Sequence, residues 1–195
     1  MHTLSYRFIA LLSSSLGLVA CGGGNGPASS HNSVNGTVHG QTYSIQDAVS
    51  ARLTSAPDSL AVVALTSTNN ACADAAAVTL RANQKFAVIE MFEVGTNKTA
   101  PTGPGTYTIY AGSGTPPVKA ASWKANIEDS MCHDIVADRG SAVSGTITLT
   151  EVSGDLFAGH YDVVLDSGDH VTGEFQPEPC PEIQNASTSP THTCS

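Results

Sequence analysis

Apolar and polar residues alternate most cleanly between residues 155 and 175. In "DLFAGHYDVVL", Phe157, Tyr161, Val163 and Leu165 alternate with Ala158, His160, Asp162 and Asp166. A period of two puts successive side chains on opposite faces of a strand, so the first set faces a core and the second faces solvent. "HVTGEF" continues the pattern with Val171, Gly173 and Phe175. The intervening "DSGD", residues 166–169, is turn chemistry, and the two runs therefore predict a hairpin. Keeping both apolar sets on one face restricts the register. Pairing Leu165 with Val171, Val163 with Gly173 and Tyr161 with Phe175 meets that condition. It places Asp166 opposite His170 and Asp162 opposite Glu174 on the outer face.

The same reading extends through the chain. "SVNGTVHG" and "TYSIQDAVSARL" predict an opening hairpin around Gly40 and Gln41. "SLAVVALTS" is apolar enough for a buried strand, and "KFAVIEMFEV", "GTYTIYAG", "TPPVKAASWKANIED" and "SAVSGTITLTEV" read as further strands. "GTNKTAPTGPG" is a loop by its Gly, Pro and Asn content. The alanines of "ACADAAAVTLRAN" interrupt the strand pattern and predict one short helix over residues 73–81. Some 8–9 strands with frequent turns predict a single all-β domain, an antiparallel sandwich or barrel, over residues 34–180. Residues 181–195 hold two prolines and little that is apolar. They read as a disordered tail unless Cys194 ties them down.

The first residues follow a different pattern. "MHTLSYR" is a short polar start, and "FIALLSSSLGLVA" is an apolar run of 13 residues. Such a run fits a signal-peptide core and falls short of the roughly 20 residues a membrane span needs. "LVAC", residues 18–21, resembles the lipobox of bacterial lipoproteins. The resemblance implies that residues 1–20 are cleaved, that Cys21 carries a diacylglycerol thioether, and that its new amine is acylated by a palmitate-type chain. "CGGGNGPASSHNS", residues 21–33, is then a flexible tether with a reach of about 20 Å. Gly22 behind the cysteine implies, by the same resemblance, the outer membrane.

Charge narrows the partner classes. Losing Arg7 with the leader takes the basic count from 8 to 7 against 17 acidic residues, and the net charge from −9 to −10. That balance argues against nucleic acid and against adhesion to anionic lipid. The partners to expect are the membrane, through the lipid, and an envelope protein or glycan.

Removing Cys21 from the five cysteines leaves Cys72, Cys132, Cys180 and Cys194, an even number in an exported chain. Two disulfides follow, with three connectivities open. If the strands from Ser59 onward run up and down as a meander, Cys72 and Cys180 share one end of the domain. Cys132 is then left for Cys194.

Candidate chemistry is sparse. His160, Asp162, Asp166, His170 and Glu174 fall on one strand face and could together hold Zn²⁺ or a similar cation. "DSGD" has a calcium-loop flavour but lacks the alternating ligands and closing Glu of an EF-hand. "CHD", residues 132–134, has the residue types of a thiol triad, although adjacent side chains point apart and an exported Cys pairs readily. Trp123, the only tryptophan, fits a core or rim position better than a binding surface. No motif calls for a cofactor.

With "VNGTVHGQTY", "SGTITLTEV" and "GDHVTGEFQPEPC", the chain resembles small lipoproteins of Gram-negative bacteria to which no reaction is assigned. Three functions are open. The first is a lipid-anchored, non-catalytic binding or structural domain. The second is a metal-dependent module using the outer strand face. The third is an enzyme with a dispersed carboxylate site, which leaves no local motif.

Overall fold

The computed structural model describes residues 31–189 and 192–195. The expected leader, the lipidation residue Cys21 and the tether before His31 lie outside the described residues. In chain order the elements are β1 (Asp47–Ser55), β2 (Asp58–Thr66), α1 (Ala71–Ala77), β3 (Thr79–Leu80), β4 (Lys85–Val94), β5 (Lys98–Thr99) and β6 (Gly105–Ile109). They continue with β7 (Lys119–Ile127), β8 (Gly140–Ser153), β9 (Leu156–Leu165), β10 (His170–Phe175), β11 (Glu178–Pro179), α2 (Ile183–Thr188) and β12 (Thr193–Cys194).

The fold is all-β in character, but it is not a two-sheet sandwich and not purely antiparallel. One sheet runs β10-β9-β8-β6-β7-β4-β2-β1-β11, with β5 beside β4, and curls into a half-barrel. β6 lies parallel to β7, and β1 lies parallel to β11. A single curled sheet can bury its concave face against itself, so no second sheet is needed. Trp123, Tyr107, Tyr161, Phe157 and Phe175 fill that concavity and are all nearly inaccessible.

The convex face is treated unevenly. Over β1, β2 and β4 it is covered: Val49, Ala51, Leu53, Val62, Phe86 and Val88 pack with Ala71, Ala75, Ile183 and Ala186 of α1 and α2. These strands are buried on both faces, which is why "SLAVVALTS" and "KFAVIEMF" are continuous apolar runs. Over β9 and β10 the convex face meets solvent, so those strands alternate.

The expected opening hairpin is replaced by a strap. Val38 and Gln41 form only an isolated bridge, and the first strand begins at Asp47 and pairs with β2. The Ser33 N–H donates to the Glu174 carbonyl at 2.9 Å, and Asn35 bridges to Thr172. Val34, Val38 and Tyr43 then enter the main core. A Cβ on Gly140 would lie 2.5 Å from Val38 Cγ1, so the glycine makes the space this valine occupies.

The β9–β10 register is shifted by two residues from the expected one. Val171 faces Val163, Gly173 faces Tyr161 and Phe175 faces Gly159. A shift of two keeps every side chain on its face, so the buried set is unchanged. The turn sets the difference. Leu165 N–H donates to the Asp169 carbonyl at 2.9 Å, and Gly168 has φ +88°, which makes a three-residue loop of residues 166–168. Each aromatic now lies opposite a glycine. A Cβ on Gly173 would come within 2.5 Å of the Tyr161 hydroxyl.

The helix is Ala71–Ala77 rather than 73–81. Val78 takes a left-handed conformation, and Thr79–Leu80 turn away to pair with β12. That pairing, α2 and Cys194 give structure to the described part of 181–195.

Cys72 is joined to Cys180, and Cys132 to Cys194, each across a Cα–Cα distance of 5.6 Å. The meander premise does not hold. The parallel β6–β7 neighbours break the alternation, and β10 runs opposite to β2. Cys180 reaches Cys72 because the chain after β10 crosses to β1, where Cys180 N–H donates to the Ser50 carbonyl at 2.7 Å. Among the described residues, no helix is long and apolar enough to cross a membrane.

Candidate functional site

The five outer-face residues reach three different places. His160 faces Glu174 directly across β9 and β10. With His31, Thr150, Glu151 and Gln176 they line an open cleft of about 340 Å³. His31 belongs to the segment just ahead of the strap, and no strand pattern marks it. Asp162 instead hydrogen-bonds His170 Nε2 at 2.7 Å, with both side chains more than half exposed. Asp166 lies in the turn, where its Oδ1 accepts from Ser141 N–H and Ser167 N–H at 3.2 and 3.1 Å.

The expected cation cluster is thus divided by the register shift, which moves Glu174 away from Asp162. Among the described residues, Cys72, Cys180 and Glu182 are the one group of three metal-type donors within 4.8 Å of one another. Its sulfurs are joined as a disulfide and offer no thiolate.

Two other motifs resolve into structural roles. Asp169 of "DSGD" accepts from Ser167 Oγ at 2.8 Å, Thr37 Oγ1 at 3.1 Å and His39 N–H at 2.9 Å. The Ser167 bond, then those from Thr37 and His39, hold this carboxyl below its ordinary range. The motif closes the turn and docks the strap. In "CHD", Cys132 is in a disulfide and His133 is exposed beside Asp129, so there is no thiol for a triad. Trp123 is buried with its ring centroid 5.9 Å from that of Tyr161.

Two polar groups deeper in the fold escape the sequence reading. At one end of the half-barrel, the Tyr107 hydroxyl donates to Glu93 Oε1 at 2.9 Å, and Lys119 Nζ lies 3.3 Å from the same oxygen. Burial first, then Glu93, raises the phenol above its ordinary range. This is a satisfied network that closes the end of the core. At the far end of β7, Glu128 is 3% exposed, and its Oε2 has no partner among the described residues. Asp134 faces it across an isolated antiparallel bridge. Asp134 Oδ2 accepts from Asn126 Nδ2 at 3.2 Å and from Arg139, while its Oδ1 is buried without a partner. Glu128 follows a strand that alternates normally and opens an acidic loop, "EDSMCHD". Nothing in that pattern marks it as buried.

Among the described residues, the geometry therefore presents an exposed cleft of donors and acceptors and a buried carboxyl, Glu128, beside the part-buried Asp134. No family model, curated protein or solved structure matches the chain.

Proposed function

We propose that the chain is an exported, lipid-anchored envelope protein of Gram-negative type. Its half-barrel serves as a non-catalytic binding or structural module. The observation that carries this reading is the partition of the cysteines. Four of the five are held in two disulfides, which supports export to an oxidising compartment. Cys21 is the one left over, directly behind an apolar run and ahead of a glycine-rich stretch. One acyl chain binds a bilayer marginally, whereas the three implied at a lipobox cysteine hold it stably.

The cleft supports a binding role. His31, on its rim, is where the tether reaches the domain, so the site is presented on a fixed side of the anchored protein. Its His, Glu, Gln and Thr side chains offer the donors and acceptors that hydroxyl-rich glycans or a polypeptide backbone require. The outer membrane is the anchoring site proposed.

Mass spectrometry of the native product tests the reading. The expected species begins at Cys21 and carries diacylglycerol and an N-acyl chain, and a Cys21→Ser chain leaves the membrane fraction. A chain intact from Met1, or one cleaved to a bare Cys21 thiol, overturns it.

A further inference from the structure

Glu128 and Asp134 form an uncompensated pair. Residues that face each other in an antiparallel bridge project to one side with their Cβ atoms about 5 Å apart. Here both are acids, each with a buried carboxyl oxygen that lacks a partner among the described residues. The loop between them is otherwise well held. Asp129 N–H donates to the His133 carbonyl and Ile135 N–H to the Ile127 carbonyl, both at 2.8 Å, and Cys132 is tied to β12. The charge count decides what is missing. Two carboxylates against the Arg139 guanidinium leave one negative charge, and of the three side chains Glu128 is the buried one. One proton brings the trio to neutrality, whereas a divalent cation overshoots to positive. An uncompensated buried charge is costly, so the proton fits best.

We propose that Glu128 is a pH-operated latch on the 129–139 loop, a neutral acid while the loop is seated and a carboxylate once the loop lifts. The proton passes to solvent as the loop opens. The charged and titratable groups around it are Asp129, Asp134, Asp138, Arg139 and His133 of the loop, Tyr43 of the strap and Lys85 of β4. Tyr43 is raised by burial, then by Asp138 and Asp134. Lys85 Nζ donates to the Thr42 carbonyl at 2.8 Å and lies 5.5 Å from the Tyr43 ring centre. No cation among them except Arg139 bears on Glu128, and it only partly offsets the rest.

Burial first, then Asp134 and Asp129, pushes the Glu128 carboxyl from an ordinary 4.5 up to about 7. The seated loop therefore keeps its proton in a range where the open loop has lost it. Between those limits the closed form binds more protons, so closure weakens as pH rises and levels off above about 7. Acid seats the loop and neutrality loosens it.

Amide hydrogen exchange on the full chain, corrected for intrinsic rates, tests the latch. For a single coupled proton, opening of residues 129–139 should rise by up to about tenfold per pH unit between pH 5 and 7, and stay flat from 7 to 8.5. Glu128→Gln keeps the neutral shape and should hold the loop closed across the whole range. Asp134→Asn removes a neighbouring charge and should shrink the rise. His133 lies 3.6 Å from Asp129 Oδ2 in the same loop. A rise that survives Glu128→Gln belongs to another group and overturns the proposal. A wild-type loop indifferent to pH also overturns it. So does protection at pH 8 that depends on calcium or zinc and is reversed by chelator, because a cation then occupies the pair.

Discussion

The two halves of the sheet bury the same kinds of residue in different ways. β1, β2 and β4 are covered on both faces, by the barrel core on one side and by α1 and α2 on the other. β9 and β10 are covered on one face only, and their outer face carries His160, Asp162, His170 and Glu174. The contrast separates stability from recognition. The doubly buried half offers solvent little chemistry, whereas the half-exposed one has polar side chains to spare and depends on the strap for its edge.

The sharpest way to break this contrast is to free the helices. Removing the Cys72–Cys180 link, as Cys72→Ala with Cys180→Ala, opens a cross-link spanning 108 residues. The Cys132–Cys194 link spans 62. On chain entropy alone both losses are about 4–5 kcal/mol, nearly equal. The first link also clamps the layer that buries Val62, Phe86 and Val88. Denaturant unfolding should therefore show the larger loss for the Cys72–Cys180 variant. Equal losses would mean that the helical layer contributes little.

A single residue type sharpens the comparison further. Val62 and Val164 both lie on the convex face, Val62 fully buried under the helices and Val164 half-buried on β9. Val62→Ala removes two buried methyl groups and leaves a void, for a loss of about 2 kcal/mol. Val164→Ala should cost roughly 0.5 kcal/mol or less, because solvent reaches the site already. Melting curves of the two variants decide it.

The same contrast explains what could be read from the chain. The strands of both halves were legible, because alternation and continuous apolar runs are local consequences of one- or two-sided burial. What covers an apolar run is not local. "SLAVVALTS" fits a sandwich as well as a half-barrel with helices docked outside, and the choice depends on where Cys180 crosses the sheet. The parallel β6–β7 contact leaves no mark in either strand. The β9–β10 faces were legible but the exact register was not, since it depends on Gly168 taking a positive φ and on glycines lying opposite Tyr161 and Phe175. That two-residue shift is what divides the expected five-residue cluster. His31 joins the cleft from a segment that carries no periodicity, and Glu128 is buried by a loop that folds back over it. Neither effect has a signature in neighbouring residues.

The smallest expected effect bears on that outer face. His170 and Asp162 form a pair that is 59% and 65% exposed, well apart from the cleft that His160 and Glu174 line. Exposed ion pairs are worth 0–1 kcal/mol because water solvates each partner nearly as well and salt screens the rest. His170→Ala should therefore shift the unfolding free energy by no more than about 0.5 kcal/mol, and raising the ionic strength should erase even that difference. The double-mutant cycle with Asp162→Asn should return a coupling of the same small size. A coupling above about 2 kcal/mol would require a group that holds both side chains at once. Metal analysis of the native protein would then show a bound ion, and the outer face would be a ligand site rather than a solvated surface.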